Sequence, residues 1–468
     1  VYYEKTGVIS ATIGLVKERK QIFTTAEINT GDIKDKNNTA LHYACKNGNL
    51  EIVKHLITWE AFVNIENQER KTPLVIACEQ TLATTDDNKL ETRFNIIIEL
   101  LKKTLPSQYM DPSPNQTILE ALLLACKKNK KEVVEAFKPE KKLLATNIFT
   151  ESYIGKTETY KGKTALHIAC EFNSTDVIEP LTNSIDPSIL KVLLDNNRNT
   201  PLHTACKYGN SAIVTQLLGK NNEEKFLNAV NVEGKMAMHI VCEKCTPRHA
   251  KETNYIEIIK TLIKNKASYS KKTQQKKSKT FQAGWRPLHY AAYTGNTEIA
   301  KTLAYDGFTK IANAPDINYT DDQDRTALHI ACIYGNKEIV EYLIGTKGNI
   351  FIKFAGLTGG LLGTYKIQKA NPTLVDKQKY TPLHYACQLQ DQDKALEIAR
   401  IILENSDDKD VGSIKKKTEI TPITINTTSH NLLNYIQHEK GMSIKTQTAL
   451  IKKKKKRRRK QREKTVKK

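Results

Sequence analysis

Thr39-Ala-Leu-His-Tyr-Ala-Cys45 is the stretch from which the fold can be read. A threonine hydroxyl can cap a helix start, and Leu41, Ala44 and Cys45 then share one face at i, i+3 and i+4. Gly48 follows three residues on, and glycine ends a short helix because it takes a positive φ without strain. A second apolar stripe comes next, Ile52, Val53, Leu56 and Ile57, so the unit reads as two short helices joined by a polar turn. Neither helix could bury its stripe alone. Stacked neighbours would cover one another, and stability would be a sum of units and nearest-neighbour interfaces.

The phrase recurs along the chain. Close copies are Thr164-Ala-Leu-His-Ile-Ala-Cys170, Thr200-Pro-Leu-His-Thr-Ala-Cys206, Thr326-Ala-Leu-His-Ile-Ala-Cys332 and Thr381-Pro-Leu-His-Tyr-Ala-Cys387. Looser ones are Thr72-Pro-Leu-Val-Ile-Ala-Cys78, Ala121-Leu-Leu-Leu-Ala-Cys126, Met236-Ala-Met-His-Ile-Val-Cys242, Arg286-Pro-Leu-His-Tyr-Ala-Ala292 and Thr421-Pro-Ile-Thr424, which makes ten units. Pro73, Pro201 and Pro382 stand at the first helical position, where the missing N–H would have had no partner anyway.

A Thr-Pro-Leu-His-x-Ala phrase in a unit of about 33 residues resembles the ankyrin-repeat family. Asn47 to Val53 and Gly335 to Ile344 are similar to that family's inter-helix turn and second helix. The resemblance runs to about residue 440. It implies an all-α ankyrin-repeat solenoid of helix-turn-helix units joined by β-hairpin fingers. In the family the phrase histidine hydrogen-bonds loop backbone and the Cys place holds a small buried residue. His42, His167, His203, His239, His289, His329 and His384 are therefore expected to be scaffold. The implied activity is binding, which makes the chain a non-catalytic scaffold or adaptor for other proteins.

Residues 1–34 are expected to be a truncated repeat or N-terminal cap, 35–440 about ten repeats, and 441–468 a disordered polybasic tail. Steps between equivalent phrase positions are 33, 48, 44, 36, 36, 50, 40, 55 and 40 residues, so several units carry insertions. Segments 80–93 and 243–254 fall between the two helices of a unit, whereas 267–284 and 345–376 fall in the fingers. Insertions in such arrays map to loops on one face, often the binding face. Partner residues are accordingly expected at finger tips and exposed positions of first helices: Asn67, Glu69 and Arg70, and Asp322, Gln323, Asp324 and Tyr334.

The net charge of +22 is concentrated. Residues 452–468 hold 13 Lys or Arg against one acid, Glu463. Their core is Lys452, Lys453, Lys454, Lys455, Lys456, Arg457, Arg458, Arg459 and Lys460, and a second cluster includes Lys271, Lys272, Lys276 and Lys277. The tail has three readings: a nuclear-import signal bound by an import receptor, a segment drawn to anionic lipid, or an unstructured end. The 266–279 cluster could dock an acidic protein. Nucleic acid is disfavoured and would be held non-specifically, because no aromatics interleave the tail for base stacking.

No run of 18 apolar residues could span a bilayer. The opening residues lack a secretory signal, and nine cysteines, eight of them at one repeat position, fit a reducing compartment. The expected location is cytoplasmic, with the nucleus reached through the tail. The start at Val1 suggests a fragment, so the rival readings are an interaction module of a larger signalling or channel protein and a basic chromatin-associated adaptor acting through its tail.

No residue set calls for a cofactor. His239, Cys242, Cys245 and His249 have spacing legal for zinc, but two of them are phrase residues that should face the stack. Gly356 to Gly363 is glycine-rich without the Lys-Ser/Thr of a phosphate loop. No nucleophile elbow or His-Glu-x-x-His occurs, so catalytic, cofactor and metal sites are all expected to be absent.

Overall fold

Helix pairs form where the phrase recurs. The computed structural model describes residues 25–103, 115–137, 162–183, 190–274, 282–304, 317–345 and 369–405. They belong to two compact units, one up to Tyr269 together with Thr273 and Gln274, the other Ser270–Lys272 and the described residues from 282 onward.

In the first unit the pairs are α1 (Ala40–Asn47) with α2 (Leu50–Thr58), α3 (Pro73–Leu82) with α4 (Asp87–Leu101), and α5 (Asn115–Lys127) with α6 (Lys131–Ala136). They continue with α7 (Ala165–Phe172) and α8 (Ile178–Asn183), α9 (Pro201–Lys207) and α10 (Ser211–Lys220), and α11 (Ala237–Lys244) and α12 (Glu252–Lys264). First helices pack on first helices and second on second along the unit, as stacked apolar stripes require. The second unit stacks in the same way α13 (Pro287–Thr294) with α14 (Thr297–Ala304), α15 (Ala327–Ile333) with α16 (Lys337–Ile344), and α17 (Pro382–Cys387) with α18 (Gln392–Asn405). The phrase residues form the core: Leu41, Cys45, Leu166, Cys170, Leu202, Cys206, Leu328 and Cys332 are all buried. Gly48, Gly209 and Gly335 stand past the first helices at φ of 75°, 68° and 65°.

Three expectations change. The connections are not β-hairpins among the described residues: they are tight loops, with isolated bridges only at Asp32–Asn38 and Thr320–Thr326. The insertion at 80–93 is largely helix, because Leu90, Phe94 and Ile97 extend the apolar stripe and draw α4 out to 15 residues. In the third repeat the helix runs through the phrase start: Glu120 stands where other repeats have a capping residue, and α5 already begins at Asn115. The tenth unit at Thr421, residues 346–368 and the tail lie outside the described residues.

Candidate interaction surface

Between helix pairs the chain turns on one Asn or Asp. Asn67 Oδ1 accepts from the Glu69 and Lys71 amides, both at 2.9 Å. Asp195 does so for Asn197 and Asn199 at 2.8 Å, and Asn231 for Glu233 and Lys235 at 3.0 Å. Asp321 holds Gln323 and Arg325 at 2.8 and 2.9 Å, and Asp376 holds Gln378 and Tyr380 at 2.9 and 2.8 Å. The residue three places on takes a positive φ in each loop: Arg70, Arg198, Gly234, Asp324 and Lys379. One short oxygen accepting two amides fixes the turn, so no β ladder is needed.

The carbonyl that follows points inward and meets the histidine of the preceding repeat. His42 Nε2 lies 3.0 Å from the Lys71 oxygen, His167 2.9 Å from Asn199, and His203 3.1 Å from Lys235. In the second unit His289 meets Arg325 at 2.9 Å and His329 meets Tyr380 at 3.1 Å. Nδ1 accepts the amide of the N-cap residue, such as Thr39 or Thr326 at 3.1 Å, so Nε2 carries the hydrogen and donates. His239 and His384 accept the Met236 and Thr381 amides likewise. Burial lowers His203, His289 and His329 to about 4, against the partial support of the backbone bond, and keeps the rings neutral.

What remains exposed is a short tip per loop. Adjacent tips are tied by single backbone bonds: Gln68 to Lys36 at 2.8 Å, Val232 to Asn197 at 2.9 Å, and Lys377 to Gln323 at 3.0 Å. Arg70, Gln323 and Asp324 are exposed there, and Glu69, also exposed, pairs with Lys36 and with Lys71 at 3.3 Å. Asn67 is not a surface residue. It is buried, because its carboxamide holds the turn and donates to Asn38 Oδ1 at 2.8 Å. Asp322 pairs with Lys272 at 3.1 Å, and Tyr334 is 40% exposed with its ring edge on Tyr293 at 4.6 Å. Lys271 is exposed, while Lys276, Lys277 and the whole of Lys452–Lys460 lie outside the described residues.

Sequence reasoning missed a second recurring device. The residue before the phrase pairs with one just after it: Lys71 with Glu79 at 2.9 Å, Lys163 with Glu171 at 2.6 Å, and Lys235 with Glu243 at 2.9 Å. The eight-residue Lys-to-Glu spacing around each phrase was the available signal. Arg325, in the same place, pairs instead with Asp321 at 2.7 Å, both side chains being buried.

The chemistry-capable groups are turned inward. All nine cysteines are buried, and burial pushes their thiols up, Cys245 to about 12. The zinc spacing does not assemble, and no metal-competent group of three or more His, Cys, Asp or Glu occurs among the described residues. His239 and Cys242 face the stack, Cys245 Sγ sits 3.9 Å from the Glu252 carbonyl, and His249 Nδ1 accepts the Lys251 amide at 3.0 Å. No described helix is long and apolar enough to cross a membrane.

A stack of helix pairs with Asx-turned loops and a forward-reaching histidine is the build of an interaction repeat, and comparison with known proteins agrees. A family model for ankyrin repeats in three copies matches residues 15–87, 182–273, 223–314, 248–354 and 311–413, and a single-repeat model matches 161–192. The chain belongs to the ankyrin-repeat family. Among its relatives is the human transient receptor potential cation channel subfamily A member 1, 27% identical over 191 residues, 40% of this chain and 15% of the channel. The tyrosine-protein kinase HTK16 of Hydra vulgaris is 28% identical over 184 residues, 38% of this chain and 20% of the kinase. The probable 26S proteasome regulatory subunit p28 of Saccharomyces cerevisiae is 26% identical over 187 residues, 40% of this chain and 72% of that subunit. The matched part is thus a small fraction of the channel and the kinase. Ankyrin repeats are protein-interaction modules, generally without catalytic activity.

Proposed function

We propose that this chain is a non-catalytic scaffold or adaptor that holds partner proteins on its loop tips and on the exposed ends of its first helices. The observation that carries the reading is the rigid presentation of those tips. Each turn is spent on its own Asx oxygen, and neighbouring turns are tied by backbone bonds. Within the first unit the outward Arg198 and Glu233 are therefore held in register with each other, as within the second are Gln323, Asp324 and Lys379, and Arg70 stands on a turn tied to the one before it. Preorganised side chains lose less freedom on binding. Affinity capture with the full chain and with an Arg70→Ala, Gln323→Ala, Asp324→Ala variant tests it. A defined protein set retained by the first and lost by the second is expected; retention unchanged by the variant sinks the tip reading.

The second reading, an interaction module within a larger signalling or channel protein, is favoured by the match to 15% of a channel and 20% of a kinase. We assign Lys452–Lys460 to nuclear import within the first reading. A tagged chain should leave the nucleus when those residues become Gln, and an unchanged distribution would reject the assignment.

A further inference from the structure

The insertion between α11 and α12 is folded back onto the preceding repeat and carries exposed positive charge. Lys251 Nζ donates to the Tyr208 carbonyl at 2.8 Å and Asn210 Oδ1 at 3.3 Å, and Tyr255 donates to the Lys207 carbonyl at 2.9 Å. The His249 ring stands edge-on to Tyr255 at 5.4 Å, and Glu252 takes the Arg248 amide at 3.0 Å. These bonds hold the insertion with its exposed Arg248 and Lys251 against the end of α9, where Lys207 is exposed; Lys244, also exposed, ends α11 just before the insertion, so the four form one ledge of adjoining segments. Lys207 lies over the Tyr208 ring at 5.4 Å, and the bonds of Lys251 go to neutral oxygens, so neither ammonium is neutralised by them. Among the described residues no ion pair joins the charged group of any of the four to a carboxylate, although the Glu252 carboxylate sits at the Arg248 amide.

The neighbouring acids are already engaged. Glu171 is held by Lys163 and by the Tyr208 hydroxyl, each at 2.6 Å, and Glu243 is held by the buried Lys235. Glu171 and Glu243 are thus paired from behind, which leaves Glu252, on the Arg248 amide, as one carboxylate among four exposed cations.

We propose that this ledge is the docking place for an acidic segment of a partner protein, an inference that rests on the reading of the chain as a protein-binding scaffold. Four cations spread over two repeats match the spaced carboxylates of a peptide better than a base-stacking ligand, since the Tyr208 ring already carries Lys207 on one face. Steering by such a patch weakens with added salt.

The test measures binding of a labelled glutamate-rich peptide to the full chain, to a Lys207→Glu, Lys244→Glu, Lys251→Glu variant, and to a variant with residues 452–460 changed to Gln. Circular dichroism checks that each stays folded. Expected are salt-sensitive binding to the full chain, a loss of about tenfold or more in the ledge variant, and survival of most binding in the tail variant. Equal binding by the ledge variant, or loss confined to the tail variant, overturns the proposal. So does single-stranded RNA competing as well as the peptide, which would make the ledge a general anion site. Protein capture by the same variants separates the two readings. A partner set lost by the tip variant but kept by the ledge variant, without peptide binding, removes only the ledge; no retained set at all removes the scaffold reading too.

Discussion

At the scale of the residue, the phrase histidine spends both ring nitrogens. In His329 one nitrogen accepts the Thr326 amide and the other donates to the Tyr380 carbonyl in the next repeat, 51 residues on. Truncation leaves a buried amide and a buried carbonyl unmet, each costing roughly 1–3 kcal/mol. His329→Ala should therefore lower unfolding free energy by about 2–4 kcal/mol in a urea titration. The same burial sets a pH response. His203, His289 and His329 have folded pKa values near 4, depressed from 6.5, so the unfolded chain binds protons first as pH falls. Stability is full above about 6.5 and is lost between there and about 4, with each such histidine adding up to about 1.4 kcal/mol per pH unit. Urea midpoints at pH 7.5 and 5 should differ accordingly, and a flat profile would contradict the neutral rings. Asp321 is a second strong point. Asp321→Ala would strand the buried Arg325 guanidinium and cost about 3–5 kcal/mol, whereas Glu69→Ala on an exposed tip should leave the midpoint in place.

At the scale of the element, the loops depend on backbone shape. Gly234 sits at φ 68° with its missing Cβ 2.4 Å from the Gln274 carbonyl carbon, so Gly234→Ala must push one loop off its neighbour. A loss of about 1–3 kcal/mol is expected in denaturant titration. The helix pairs were legible because cap, proline and apolar spacing coincide in Thr200-Pro-Leu-His-Thr-Ala-Cys206. The loops were partly legible: an Asn or Asp stands five residues before the phrase at Asn67, Asp195, Asn231, Asp321 and Asp376, which a search keyed to the phrase alone passes over. Among the described residues the turns stop short of a hairpin ladder, because each is closed by one backbone bond across the tip and by the two amides its Asx oxygen takes. The ledge was legible only as an irregular step, since its form depends on Lys251 reaching Tyr208, 43 residues back.

At the scale of the whole molecule, each repeat is as stable as the joints it shares. The third repeat has Leu123, as the second has Val75, where the remaining described repeats have the histidine, and the second helices on either side of the third repeat's joint to the fourth, α6 and α8, are six residues each. Hydrogen exchange should therefore run through α5 to α8 before α9 to α12; uniform protection across the first unit would show that apolar stacking alone sets the order.

The histidine bond has a direction. His42 needs Lys71, His167 needs Asn199 and His203 needs Lys235, always a partner later in the chain. A repeat emerging from the ribosome thus carries an open donor until its successor has been made. Maturation during synthesis lags the growing end by one repeat, and a stalled nascent chain exposes one unfinished joint at its tip.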